Sequence, residues 1–245
     1  MREDSYIPKT DTSKCWYKET CDSYGTDICR QSCKPFKQTD YLLQMSNLPV
    51  KKQNPARLDI TYLSEQSALI LPRILENIYS FVREGFNLYL YGDTGSGKTS
   101  WAIKIMNNYF ASICEKNIYE PKGLYISTAS FLRDAKLQMN YKSTDYYELL
   151  STIQKCDIII WDDICQTDLT SYESQCLYSY INERIFSKKC NIFTSNLSPE
   201  DLKNVDKRLY SRVCVGSDCV EMKGLDMRSS GTFTQSKFYT EKGSE

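Results

Sequence analysis

The stretch Leu88-Tyr89-Leu90-Tyr91-Gly92-Asp93-Thr94-Gly95-Ser96-Gly97-Lys98-Thr99-Ser100 decides the fold. An apolar strand-like run leads into it. Beyond it Trp101, Ile105, Met106 and Tyr109 recur at helical spacing. Residues 92–99 fit G-x-x-x-x-G-K-[ST] at every fixed position, between a strand and a helix as that pattern requires. Glycines let backbone N–H groups turn inward around phosphate oxygens, and the helix N-terminus adds partial positive charge. Gly92, Asp93, Thr94, Gly95, Ser96, Gly97, Lys98, Thr99 and Ser100 are therefore the expected residues for binding ATP. Lys98 would reach the β- and γ-phosphates, and the Thr99 hydroxyl would ligate Mg²⁺.

Outward from the loop, strands are expected at 87–91, 123–127, 157–161 and 191–194. Helices are expected at 69–84, 98–112, 131–139, 145–154 and 172–186, with short ones at 199–202 and 206–213. Strands alternating with helices predict an α/β fold, a parallel sheet covered on both faces. Ile158-Ile159-Ile160-Trp161-Asp162-Asp163 is an apolar strand tipped by two carboxylates. In a parallel sheet its end faces the same edge as the phosphate loop. Asp162 would then hold Mg²⁺, and Asp163 would orient and deprotonate the attacking water. Asn191-Ile192-Phe193-Thr194-Ser195-Asn196 is a second strand with a polar tip. Asn196 either bonds the water or γ-phosphate, or caps the next helix, a duty Ser198 suits better. Arg208 and Arg212 share one helix face. Arg212 is the stronger candidate to reach a neighbouring subunit's γ-phosphate, and Arg228 is a further γ-phosphate candidate.

Composition narrows the chemistry. The chain has 245 residues, enough for one sizeable domain and a small appendage. It contains no histidine, which excludes a Ser-His-Asp triad, a Cys-His dyad and histidine metal ligands. Lys+Arg and Asp+Glu are equal at 31 each, so net charge does not speak for nucleic acid and any basic surface must be local. No apolar run approaches the roughly 20 residues of a membrane helix, and the first residues lack the apolar core of a secretory signal. Eleven cysteines in that setting predict reduced thiols and a cytoplasmic protein.

Cys15, Cys21, Cys29 and Cys33 cluster at the start, spaced C-x₅-C-x₇-C-x₃-C. Four thiolates would suit tetrahedral Zn²⁺, which would supply folding energy that so short a module lacks. An iron–sulfur cluster and unliganded thiols stay open beside zinc. Trp16, Tyr17 and Tyr24 between them form either a partner surface or a minimal core. The sequence thus divides into a Cys-rich module at 1–45 with a helix at 36–45, a linker at 46–60, an ATPase domain at 61–228 and a polar tail at 229–245. Tyr141, Tyr146 and Tyr147 beside Lys136 and Lys142 would suit stacking and phosphate contact on single-stranded DNA, or simply reflect a composition rich in Tyr and Lys.

Taken together, these residues resemble the AAA+ helicase-loader family of the DnaC and DnaI type, with the related IstB-type transposition ATPases. The resemblance rests on Leu88–Ala102, Ile160-Trp161-Asp162-Asp163-Ile164, Thr194-Ser195-Asn196, Arg208–Val213 and Asp226-Met227-Arg228. It implies that Asn196 is the sensor 1 residue, Arg212 the arginine finger and Arg228 the sensor 2 arginine. It implies a phage or mobile-element protein that self-associates through its ATP site, grips a hexameric replicative helicase with its N-terminal segment and delivers it to single-stranded DNA. Two alternatives are an IstB-like regulator coating duplex DNA and a nucleotide-switched helicase adaptor or inhibitor with negligible hydrolysis. Three departures stand out. Asp163 occupies a position where most AAA+ proteins carry glutamate. No separate helical lid domain is expected. The Cys-rich start is unlike DnaC, although DnaI does carry a zinc-binding N-terminal domain.

Overall fold

The computed structural model describes residues 15, 21–26, 29, 33–49, 63–114, 120–138, 143–165 and 169–223. Trp16, Tyr17, Tyr141, Lys142, Arg228, most of the linker and the polar tail lie outside the described residues, as does the lid expectation.

Five strands form one sheet: β1 (Asn87–Tyr91), β2 (Gly123–Ser127), β3 (Ile158–Asp162), β4 (Cys190–Ser195) and β5 (Ser217–Glu221). Their spatial order is β2-β3-β4-β1-β5, and every neighbouring pair is parallel. β4 therefore separates the strand that leads into the phosphate loop from the strand that carries the two aspartates. Tyr91 pairs with Ser195 and Ser127 pairs with Asp162, so the ends of β1, β2, β3 and β4 meet along one edge.

The burial pattern explains why these segments became strands. β3 and β4 are buried at every position, as a strand covered on both faces must be. Successive side chains go to opposite faces. Leu88, Leu90, Ile158, Ile160 and Ile192 enter one core, while Tyr89, Ile159, Trp161 and Phe193 enter the other. The first core is closed by α1 (Lys34–Met45), α2 (Glu65–Glu76), α3 (Ile78–Arg83) and α4 (Lys98–Ile113). The second is closed by α5 (Thr128–Leu137), α6 (Thr144–Lys155), α7 (Ser171–Phe186), α8 (Pro199–Val205) and α9 (Lys207–Val213).

Several expectations are refined. The single helix expected at 69–84 is two. Ser64 caps α2 by accepting the Ser67 N–H, so the helix begins four residues early and Pro72 sits inside it rather than in its first turn. The Asn77 side-chain amide bonds the Arg73 carbonyl, and the chain breaks there before α3. β5 is an addition: Ser-Asp-Cys-Val-Glu buries only Val220 fully and carries no apolar alternation to announce it. Helix α1 starts at Lys34 and does not stand apart. Leu42 and Leu43, with Leu48 just beyond the helix, belong to the same core as β1 and α4.

Gly123, at the start of β2, shows how tightly α4 lies on the sheet. A Cβ there would come within 2.6 Å of the Phe110 ring and 2.9 Å of the Met106 sulfur. Both side chains are fully buried in the first core, so either must repack against its neighbours to make room. Gly123→Ala is therefore expected to destabilise the fold by about 1–3 kcal/mol. A lower denaturant midpoint at unchanged slope would report it.

Candidate functional site

The phosphate loop connects β1 to α4. Gly92 has φ 138° and Gly97 has φ 89°, both in the range that side-chain-bearing residues avoid. A Cβ on Gly92 would also lie 2.3 Å from the Met222 carbonyl, just past β5. Gly97 caps α4 with no side-chain bond, so the first N–H groups of the helix are left to a ligand. Lys98 is buried, and its ammonium donates to the carbonyls of Gly92 and Asp93 at 2.8 Å each. The lysine is thus folded over the mouth of its own loop. The Ser96 hydroxyl is buried with no partner among the described residues, which suits an oxygen-rich ligand in this cradle.

Asp162 ends β3 and is 3% exposed. Its Oδ1 accepts from the Thr99 hydroxyl at 2.7 Å and from the Thr194 hydroxyl at 2.8 Å. Its Oδ2 accepts from the Tyr125 hydroxyl at 2.5 Å. The carboxylate is therefore tied to the phosphate loop, to β4 and to β2. Burial, and then the adjacent Asp162 carboxylate, push the Tyr125 phenol well above its ordinary value, so it remains a donor at neutral pH. A hard divalent cation takes oxygen ligands. The oxygens of Thr99 and Asp162, already within hydrogen-bond reach of each other, fit Mg²⁺ beside a bound polyphosphate.

Asp163 follows with φ 57°. Aspartate and asparagine tolerate this left-handed backbone better than most residues, which gives a physical reason for a short carboxylate here. Its N–H donates to the Thr194 hydroxyl at 2.9 Å. Thr194 is therefore a relay: it accepts from Asp163 and donates to Asp162. Asn196, just past β4, is exposed, and its amide lies 3.5 Å from the Thr94 hydroxyl of the loop. Capping of α8 falls to Ser198, whose hydroxyl accepts the Asp201 N–H. Asn196 is thus left at the loop's edge.

The arginines lie elsewhere. Arg212, on α9, has its guanidinium 5.4 Å from the Phe186 ring and 5.8 Å from the Tyr178 ring, with Nη2 3.5 Å from the Tyr178 hydroxyl. Arg208 lies 4.4 Å over the same tyrosine ring. Phe186 is 73% exposed and Arg208 is exposed, while Arg212 is half-buried with its Nε covered, so the group lies at the surface. Of the residues suggested for single strands, Tyr146 packs against the second core and stacks on Phe131. Lys136 pairs with Glu173 at 2.8 Å, and Tyr147 remains exposed.

The zinc expectation finds no support in the geometry. Cys15, Cys21, Cys29 and Cys33 are all described, yet among the described residues no three Cys, Asp or Glu side chains gather into a metal-holding group. Cys33 opens α1 as its N-cap with no side-chain cap bond, and the other three cysteines are flanked mostly by residues outside the described ones. Sequence reasoning also missed Tyr125. Its hydroxyl reaches Asp162 only because β2 pairs with β3 in one register, which no local pattern encodes.

Comparison with known proteins agrees with this geometry. The family model for the bacterial DnaA ATPase domain matches residues 73–220. The chromosomal replication initiator protein DnaA of Mycoplasma capricolum subsp. capricolum is 30% identical over 145 residues, which are 58% of this chain and 30% of that protein. The replicative helicase loader DnaI of Bacillus subtilis is 27% identical over 127 residues, 51% of this chain and 38% of that protein. The chain thus matches about a third of the length of these relatives. The solved structure of the replication initiator DnaA bound to AMPPCP and single-stranded DNA shares the fold with a TM-score of 0.52 at 19% identity, over 68% of this chain and 51% of that one. Among the described residues no helix is long and apolar enough to cross a membrane. The family match covers more than half of the chain and contains both the loop and the aspartate strand, so the chain belongs to the bacterial DnaA ATPase domain family, within the AAA+ fold shared with DnaC- and DnaI-like loaders.

Proposed function

We propose that this protein is an ATP-dependent replication factor that binds a hexameric replicative helicase and loads it onto single-stranded DNA. ATP–Mg²⁺ binding favours assembly, and hydrolysis drives release. The observation that carries the nucleotide half is the bridge from Thr99 through Asp162 to Thr194, with Asp163 beside it. The loader half is supported by the similarity to DnaI, a replicative helicase loader. Single-stranded DNA as a partner is supported by the shared fold with DnaA in its complex with that ligand.

In this reading the loop 92–99 orients the phosphates and Lys98 neutralises charge on them. Thr99 and Asp162 hold Mg²⁺, which polarises the terminal phosphate when bound. Asp163 takes the proton from water, and Asn196 orients it from the far side of the loop. Arg212, packed beside Tyr178 and Phe186, completes a neighbouring copy's site, and Arg228 contacts the γ-phosphate. The segment 1–45 grips the helicase, and residues 61–228 act as the ATPase.

Native mass spectrometry of the protein with the source cell's replicative helicase and ATP–Mg²⁺ tests this. A stoichiometric complex with the hexamer is expected, lost in Lys98→Ala. Long assemblies on duplex DNA without a helicase complex would favour the IstB-type regulator. Helicase delivery that persists in Asp163→Asn would favour a nucleotide-switched adaptor.

A further inference from the structure

Tyr125 touches two parts of the molecule that the sequence keeps far apart. β2 is an end strand of the sheet, and an end strand presents unpaired N–H and C=O groups along its outer side. At Tyr125 both groups are engaged by the turn that follows α1. The Tyr125 N–H donates to the Ser46 carbonyl at 2.7 Å. The Asn47 side-chain amide donates to the Tyr125 carbonyl at 3.3 Å. The turn is well anchored: Ser46 is fully buried and its hydroxyl donates to the Leu43 carbonyl at 2.6 Å. Asn47 takes φ 56°, a conformation asparagine adopts more readily than most residues. Leu42, Leu43 and Leu48 bracket the turn with buried contacts to the first core. The side chain of the same Tyr125 ends on Asp162 Oδ2. One residue thus has its backbone on the N-terminal turn and its phenol on the Mg²⁺ acid.

We propose that Tyr125 is a positioning residue that couples the seating of helix α1 on the sheet edge to the hold of Asp162 on Mg²⁺–nucleotide. The inference rests on the nucleotide reading above and deepens it. With Ser46-Asn47 in register along β2, the phenol is placed to fix one Asp162 oxygen while Thr99 and Thr194 fix the other. If the turn lifts, β2 loses its outer partner at Tyr125, and the phenol loses its aim. The bistable element is therefore α1 with its turn, seated or lifted. Anything that pulls on the N-terminal segment weakens the metal site, and by linkage metal-bound nucleotide tightens the seating of α1 by the same factor.

The test uses the full chain with a fluorescent, non-hydrolysable ATP analogue, with Mg²⁺ or with EDTA. Hydrogen exchange read by mass spectrometry should slow across residues 34–48 when Mg²⁺ is added to the analogue complex. Tyr125→Phe should abolish that Mg²⁺-dependent slowing. Asn47→Ala leaves the phenol in place but loosens the turn. It should raise the Mg²⁺ concentration for half-maximal analogue binding at least about fivefold, the low end of usual coupling, with EDTA-state binding unchanged. The inference is overturned if Tyr125→Phe keeps the Mg²⁺-dependent slowing, or if Asn47→Ala keeps the wild-type Mg²⁺ requirement. A wild-type chain that binds no analogue in either condition would instead overturn the nucleotide reading itself, and this inference with it.

Discussion

Asp163→Asn is expected to slow ATP turnover about 100- to 10,000-fold, the usual worth of a positioned general base. ATP affinity should stay within about twofold, because an interaction made only in the transition state does not show in binding. The substitution is clean for a structural reason. Asparagine accepts the left-handed φ of 57° as readily as aspartate does. The backbone N–H that bonds Thr194 is untouched, so the relay to Asp162 survives. Only the carboxylate's basicity is lost. Single-turnover hydrolysis and equilibrium nucleotide binding, measured together, check this. Near-normal turnover would move water activation to another group. Lys98→Ala should behave differently: it removes a charge from the phosphate cradle and should weaken ATP binding itself.

The largest expected loss of stability comes from Arg184, deep beneath the sheet and far in kind from the nucleotide chemistry. Arg184→Ala should cost about 3–5 kcal/mol, from several unsatisfied acceptors and a cavity, and lower Tm by about 10 °C or more. The guanidinium is fully buried. Nε donates to Asn191 Oδ1 at 2.8 Å, Nη1 to the Ile153 and Cys156 carbonyls at 2.6 and 2.9 Å, and Nη2 to the Cys190 carbonyl at 2.7 Å. One side chain thus joins α7 to the end of α6 and the start of β4. Asn191 passes the network on: its side-chain oxygen also accepts from Trp161 Nε1, and its amide donates to Asn87 Oδ1 at 2.8 Å. Burial pulls the Arg184 pKa down to about 10. Because the folded pKa lies below the unfolded one, this group favours folding increasingly only as pH rises past about 10. Below about pH 8 the group stays protonated in both states and adds no pH slope to stability. Arg184→Lys should recover little, because one ammonium cannot replace a planar fork spread over three elements. Thermal melts of the three proteins decide the matter, and a loss under about 1 kcal/mol in the alanine variant would show that the acceptors find other partners.

What the sequence shows and hides follows from how local each signal is. The phosphate loop and the Asp162-Asp163 tip are legible because each is a short string whose chemistry is complete in itself. α4 and α7 fall close to their expected bounds, α4 because its apolar face repeats at helical spacing over about four turns and α7 because Thr170 and Glu173 form a capping box at its start. The Ser198 cap is legible because serine followed by proline at the first helical position is a short local signal. β5 was not: an edge strand with one buried valine has no period to read. Arg184 looks like any charged residue on a helix; its burial depends on carbonyls supplied from α6 and β4. Tyr125 is the sharpest case at the site itself. A tyrosine in an apolar strand reads as core, and only the pairing of β2 with β3 turns its hydroxyl into a partner of Asp162. The N-terminal cysteines are legible as a cluster in the sequence, but among the described residues no three acidic or cysteine side chains gather into a group that could hold a metal.

The closeness of β5 to the phosphate loop has a practical use. The Met222 N–H donates to the Tyr91 carbonyl at 2.7 Å, and the Met222 carbonyl presses on the space a Gly92 side chain would need. The backbone at the close of β5 therefore runs along the lip of the loop. Lys223, one residue on, is 69% exposed on its side chain. A dye attached there would sit within sensing distance of the bound phosphates without standing on any catalytic group. The fold thus offers its own reporter position, from which nucleotide arrival and departure can be timed in a stopped-flow cuvette.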